Sequence, residues 1–274
     1  MNIFELIKAV IFGIVEGIAE WLPISSTGHL ILLGELIPLK MSESFYEAFE
    51  VIIQLGAVFA VLFCYKDKIL PISKEKEQRK KAYALWKLAL IGALPSAVIG
   101  LLLDDILDEY LYNPTVVCIM LVTYGVAFIL VENFKNDRIM LVSNTESMTV
   151  ADALKVGAFQ VLALVPGTSR SGATILGGML TGLSRETAAE YSFFLAIPTM
   201  VGAGALKLVK LLGSSEKIRN EEILLLAVGC AVAFAVSCVA IRFLTDFVKR
   251  HSFSAFGVYR IIFGGGLLIY FFTK

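Results

Sequence analysis

Apolar positions in this chain come in long runs separated by short polar stretches, and the length of each run predicts what it forms. Six runs, at about 47–65, 84–103, 114–132, 190–210, 223–245 and 254–272, approach the ~20 residues a helix needs to cross hydrocarbon. Two more apolar regions, 3–39 and 152–183, are each broken near the middle by a polar knot, LPISSTGH in the first and VPGTSRSG in the second. Each flank of a knot is only about 10 to 20 residues, which predicts a re-entrant helical hairpin and not two full crossings. The expected fold is therefore all-α and membrane-integral, with six transmembrane helices plus two re-entrant helical hairpins.

Composition agrees with that reading. Hydrophobic residues make up 57% of the 274 and charged residues 18%, and the mean hydropathy is +0.79, too apolar for an ordinary soluble domain. With 24 basic and 24 acidic residues the formal charge is zero, so nothing points to nucleic acid as a partner. The first residues lack the basic region and small-residue cleavage site of a secretory signal and read as mature structure. Cys64, Cys118, Cys230 and Cys238 lie singly in apolar segments without metal-site spacing, which predicts structural thiols.

What the charges do set is orientation. Residues 66–87 hold Lys66, Lys68, Lys74, Lys76, Arg79, Lys80, Lys81 and Lys87, while 104–113 hold Asp104, Asp105, Asp108 and Glu109 and no basic residue. The first stretch is then cytoplasmic and the second external. Threading six spans from that anchor puts both termini outside, the first hairpin entering from outside and the second from inside. The loop at 211–222, with Lys217 and Arg219, falls outside against the rule; Glu216, Glu221 and Glu222 do not cancel it, since only basic residues count.

One constant offset of 143 pairs Pro23 with Pro166, Ser25 with Thr168, Ser26 with Ser169, Gly34 with Gly177, Glu43 with Glu186 and Glu47 with Glu190. It also maps the first three spans onto the last three, dividing a single membrane domain into halves at about 1–140 and 144–274. A hairpin plus three crossings is an odd number of crossings, so the second copy inserts upside down. This inverted-topology repeat brings the two hairpin tips together near the midplane.

The tips carry the chemistry. Glu16 and Glu20 share a helical face, where two ionised carboxylates repel by about a few tenths of a kcal/mol even in water. At the bilayer centre one charge costs about 2.5–3.5 kcal/mol, so such a pair faces a bundle interior or wet cavity and marks a functional site. It suits a divalent cation or a shared proton. Gly13 and Gly17 beside it read equally as packing residues. After Pro23, the hydroxyls of Ser25, Ser26 and Thr27 lie at the expected start of the hairpin's second helix, about 27–39, where free amides attract phosphate. His29 follows Ser26 by three residues and Ser25 by four, on the face of both, so the spacing lets an imidazole act on a serine proton.

The second knot, PGTSRSGAT at 166–174, adds a cation. Gly167 and Gly172 allow close backbone approach, Thr168, Ser169 and Ser171 offer caps and hydroxyls, and Thr174 adds another one turn on. Arg170 needs an anionic partner there. A phosphate held in its fork is one, and the Glu16 and Glu20 pair is the other.

These residues resemble a known family, the undecaprenyl-pyrophosphate phosphatases linked to bacitracin resistance in bacteria. The likeness rests on the ExxxE stretch at Glu16 to Glu20, on LPxSSTGHL at Leu22 to Leu30, on PGTSRSGAT at Pro166 to Thr174, and on FxxYRxxxG at Phe256, Tyr259, Arg260 and Gly264. The resemblance implies an enzyme of the bacterial cytoplasmic (inner) membrane that removes the terminal phosphate of a polyprenyl pyrophosphate lipid to recycle the carrier of cell-wall synthesis. It implies a divalent cation, Mg2+ or Ca2+, and a site opening to the outer side; a homodimer is left open. On that footing Ser26 attacks, His29 is the acid or base beside it, Glu16 and Glu20 hold the cation, and Arg170, Ser25, Thr27, Ser169, Ser171 and Thr174 bind substrate. Two variants stay open, His29 as the nucleophile and a metal-bound water with Ser26 only binding phosphate. From other classes, a lipid-phosphate transporter fits the broken helices, and an intramembrane serine protease fits the serine and histidine but not Arg170 or the carboxylates.

Overall fold

The computed structural model describes residues 3–111, 113–134, 141–213 and 218–273, and among them the fold is all-helical. Six helices are long and apolar enough to cross a membrane: α3 (Glu43–Cys64), α5 (Lys76–Leu111), α6 (Pro114–Phe134), α9 (Arg185–Gly213), α10 (Asn220–Val248) and α11 (Ser254–Thr273). They fall on the six predicted runs. Around them stand α1 (Ile3–Ala19), α2 (Ser26–Leu36), α4 (Lys66–Ile69), α7 (Val150–Val161) and α8 (Arg170–Leu180). Large apolar side chains such as Phe59, Leu101, Val239 and Ile262 point outward, each at least 60% exposed. Such a surface belongs against lipid, and the chain is a multi-pass membrane protein.

The basic stretch 66–87 is not a loop. Its Lys, Gln, Glu and Ala residues are good helix formers, so α4 and the first turns of α5 occupy most of it. At the other end α5 runs on into the acidic stretch as far as Leu111; the side chains of Asp104, Asp105 and Asp108, and all of Glu216 and Lys217, lie outside the described residues. Elsewhere local chemistry sets the boundaries. Pro114 opens α6, where its missing N–H is no loss. Thr149 and Asp152 close a reciprocal capping box at the start of α7, with bonds of 3.2 and 2.9 Å.

Close packing joins the elements: α1 lies along α10, α3 against α10 and α9, α5 against α7 and α9, and α6 along α11. Gly13 and Gly17 are packing residues, as one of their two readings held. A Cβ on Gly13 would lie 2.6 Å from the Gly229 carbonyl and one on Gly17 2.8 Å from that of Ala233, so α1 and α10 touch backbone to backbone. Ion pairs fix direction. Lys68, just past the end of α3, meets Glu190 near the start of α9 at 2.7 Å, and Glu47 near the start of α3 meets Lys207 near the end of α9 at 3.2 Å. α3 and α9 therefore run antiparallel. Glu132 of α6, 4% exposed, accepts from Arg185 Nε at 2.8 and 2.9 Å and from the Phe253 amide at 2.9 Å, tying the ends of α6, α9 and α11 together. All four cysteines are free thiols.

Candidate active site

Both polar knots fold as tight turns between helices. α1 stops at Ala19 and α2 begins at Ser26; α7 and a short 3-10 turn end at Leu164 and α8 begins at Arg170. Each second helix is 11 residues long and is capped by a serine with positive φ, Ser25 at 73° and Ser169 at 72°. Left-handed backbone is costly for a residue with a side chain, and it recurs here at both tips. The conformational match is Ser25 with Ser169, one residue later than the constant offset pairs them. Proline and serine are spaced one residue wider in the second knot, and that shifts the tip.

Gly167 has φ +87°, and a Cβ there would fall 2.4 Å from the Val117 carbonyl of α6. Gly167→Ala is expected to lose about 2 kcal/mol or more of stability and most activity, read as a lowered melting midpoint in detergent; an unchanged midpoint would show that the turn tolerates a side chain.

The tips meet around Glu20. Its Oε2 accepts from Ser26 Oγ at 2.7 Å, its Oε1 accepts from Arg170 Nη2 at 2.9 Å, and its backbone carbonyl accepts from Ser171 Oγ at 3.0 Å. Arg170 also donates through Nη1 to the Ser192 carbonyl at 2.7 Å and to Ser192 Oγ at 3.2 Å. Its guanidinium lies 5.5 Å over the Trp21 ring. Of the two anionic partners foreseen for Arg170, the protein itself supplies the carboxylate. Thr174 Oγ1 lies 2.7 Å from Ser192 Oγ and donates to the Arg170 carbonyl at 2.9 Å. Ser169 Oγ caps Gly172 N at 3.1 Å and sits 3.1 Å from Ser171 Oγ. Ser25 caps its helix, Thr27 is half-buried and joins none of these bonds, and both serines 25 and 26 are buried.

His29 does not meet Ser26. Its Nδ1 lies 2.7 Å from the Ser25 carbonyl and its Nε2 lies 2.6 Å from Tyr259 Oη, so both ring nitrogens are engaged elsewhere. Helical spacing put imidazole and hydroxyl on one face, but the carboxylate one turn before the knot outcompetes the imidazole for the serine proton. Ser26 thus has an ionisable acceptor, and it is Glu20.

Glu16 is fully buried and neither of its oxygens has a hydrogen-bond partner; the same holds for Thr168 Oγ1, Trp21 Nε1 and Arg170 Nε. Buried polar groups are normally satisfied, so the orphaned carboxylate fits a cation. Among the described residues no group of three or more His, Cys, Asp or Glu could hold a metal. A divalent ion there would have one or two carboxylates of this chain and would need its remaining oxygen ligands from outside it.

Three participants escaped the sequence reading. Ser192 and Trp21 gave no signal, being a small polar residue and an aromatic in apolar runs. Arg260 gave two, its place in the FxxYRxxxG pattern and a cation inside an apolar span, but no role followed from either. It is fully buried and donates to Pro23 O of one tip at 3.2 Å, to Gly167 O and Thr168 O of the other at 2.8 and 3.0 Å, and to Leu121 O and Met120 O of α6 at 3.3 and 3.4 Å.

A family model described as bacitracin resistance protein BacA matches residues 9–266. Curated relatives similar to this chain include an undecaprenyl-diphosphatase of Enterococcus faecalis, 52% identical with 97% of each chain covered. Another from Acetivibrio thermocellus is 51% identical, covering 97% of this chain and 98% of the relative. A third, from Lactococcus lactis subsp. lactis, is 48% identical with 97% of each covered.

Proposed function

The chain belongs to the bacitracin resistance protein BacA family, and from that premise we propose that its two tips form the site at which undecaprenyl diphosphate is hydrolysed to undecaprenyl phosphate and inorganic phosphate. The reaction returns the lipid carrier to cell-wall synthesis and underlies bacitracin resistance. The observation that carries the mechanism is the Ser26 Oγ to Glu20 Oε2 hydrogen bond of 2.7 Å, with Arg170 on the other carboxylate oxygen.

Ser26 Oγ attacks the terminal phosphorus and its proton passes to Glu20. The bond from that phosphorus to the bridging oxygen breaks, and undecaprenyl phosphate leaves with the bonding pair. Once Glu20 is protonated its hold on Arg170 weakens, which frees a guanidinium for the equatorial oxygens as charge builds on them. Water then attacks the phosphoserine phosphorus, the bond to Ser26 Oγ breaks, that oxygen takes back the proton held by Glu20, and both water protons leave on the inorganic phosphate as dihydrogen phosphate. Arg170 and the hydroxyls of Ser25, Thr27, Ser169, Ser171 and Thr174 line the phosphate's side of the site. Glu16 with Glu20 would hold Mg2+ or Ca2+, whose positive charge offsets that of the pyrophosphate when bound.

The tips sit at depth in this reading. Helices of 11 residues such as α2 and α8 reach about 16 Å, half of a ~30 Å hydrocarbon core, so each pair α1–α2 and α7–α8 is re-entrant. The antiparallel course of α3 and α9 is what two oppositely inserted halves, 1–140 and 144–274, require. With the basic 66–87 segment cytoplasmic, the first hairpin enters the bacterial inner membrane from outside, and the resemblance to the family, not the loop charge, is what supports a site opening to that side.

Purified protein in detergent is expected to release inorganic phosphate from undecaprenyl diphosphate, to slow at least about tenfold under a chelator, and to recover with Mg2+ or Ca2+. No release by folded, metal-restored protein would sink the phosphatase reading.

A further inference from the structure

His29 is left without a proton to exchange with Ser26, yet it is held more firmly than an idle side chain. Its ring stacks on Phe263 with centroids 4.1 Å apart and planes 12° from parallel, and lies 3° from the plane of Tyr259. Tyr259 and Phe263 are one turn apart on α11, so one face of that helix grips the imidazole. The hydrogen bonds then fix the tautomer of its neutral form. A carbonyl only accepts, so Nδ1, 2.7 Å from Ser25 O, carries the hydrogen, and Nε2 of the neutral ring accepts from the Tyr259 hydroxyl at 2.6 Å.

The second tip shows what this does. There the left-handed Ser169 is secured by its own helix: Ala173 N donates to Ser169 O at 2.9 Å and Gly172 N to Ser169 Oγ at 3.1 Å. The corresponding bonds at the first tip are both long, His29 N to Ser25 O at 3.4 Å and Gly28 N to Ser25 Oγ at 3.4 Å. Where the second tip has Ala173, the first has His29, whose ring supplies the short bond that the backbone lacks. The carbonyl it grips belongs to the rigid peptide plane that ends at Ser26 Cα, so its direction places the Cα from which Ser26 Oγ reaches Glu20.

Resting on the phosphatase reading, we infer that Tyr259 is a positioning residue for hydrolysis: through His29 it fixes the Ser25–Ser26 peptide and so holds the Ser26 hydroxyl on Glu20. His29 is a strut in this arrangement and neither acid, base nor nucleophile.

The test is phosphate release by Tyr259→Phe, His29→Ala, His29→Asn and His29→Gln. Tyr259→Phe keeps the ring stack and is expected to lose about three- to tenfold in kcat with KM unchanged. His29→Ala falls about a hundredfold. His29→Asn recovers to within about tenfold of wild type, because its amide nitrogen replaces Nδ1; His29→Gln, whose nitrogen reaches the Nε2 position, does not. Added to His29→Asn, Tyr259→Phe has no further effect, and the pH–rate profile of His29→Asn follows that of wild type. His29→Asn as slow as His29→Ala, a lost limb in its pH profile, or a fully active Tyr259→Phe would each overturn the proposal while leaving the phosphatase reading intact. Should His29→Ala fail to fold, the contrast of Asn with Gln still decides. A wild type that releases no phosphate would overturn the reading, and the strut with it.

Discussion

Ser26→Ala is expected to turn over undecaprenyl diphosphate about a thousandfold or more slowly than wild type, with KM within about threefold. In the proposed mechanism the alanine removes the attacking oxygen and nothing that holds the lipid. Arg170 still donates to Glu20 and Ser192, Ser25 still caps α2, and the melting midpoint should barely move. Initial rates of phosphate release at saturating substrate measure the effect. A Ser26→Ala enzyme that keeps more than about a tenth of its rate would mean that another oxygen attacks, and a bound water activated by the carboxylates would replace the serine.

Arg260→Ala should produce the largest loss of stability in the protein, about 3 kcal/mol or more, together with loss of turnover. The guanidinium donates to carbonyls on both tips and on α6 at once, and its removal strands those of the tips in a buried place. Arg260→Lys should fall between, since three donors on a point charge cannot reproduce a planar fork. Thermal melts in detergent beside activity test this. If Arg260→Ala melts like wild type, the Arg170 and Ser171 contacts to Glu20 alone suffice to join the tips.

Much of this architecture is legible in the chain because the bilayer imposes one simple length requirement. All six crossing helices coincide with apolar runs, and both turns coincide with the polar knots. The surplus length of α5 is not legible in the charge pattern, because the lysines, glutamates and alanines that mark the end of an apolar run also continue a helix into water. Inside the site, residue types were informative and pairings were not. Glu20, Ser26 and Arg170 announce themselves as polar groups in apolar sequence. That Glu20 stands between the other two depends on how α1 ends and on a positive φ at Ser25, neither of which follows from spacing. His29 was misplaced for the same reason: an i, i+3 relation brings it near Ser26, but its ring obeys Tyr259 and the Ser25 carbonyl, more than two hundred residues and four residues away respectively. Arg260 was visible as a cation where lipid should be; only three dimensions show that its partners are carbonyls from opposite halves of the chain.

The position of Arg260 has a consequence for the birth of the protein. Everything it grips, from Pro23 to Thr168, leaves the ribosome earlier. Until α11 is delivered, the backbone carbonyls of the two turns have no guanidinium to join them, and α11 itself enters the bilayer carrying a charge that costs about 2.5–3.5 kcal/mol at mid-depth. That cost is relieved only when the helix docks against α6 and the waiting carbonyls. Docking therefore joins two events, the shelter of an otherwise stranded charge and the first tie of both turns to α6. A nascent chain halted before residue 260 holds a serine, a carboxylate pair and an arginine, but not yet the side chain that locks the two turns to one helix.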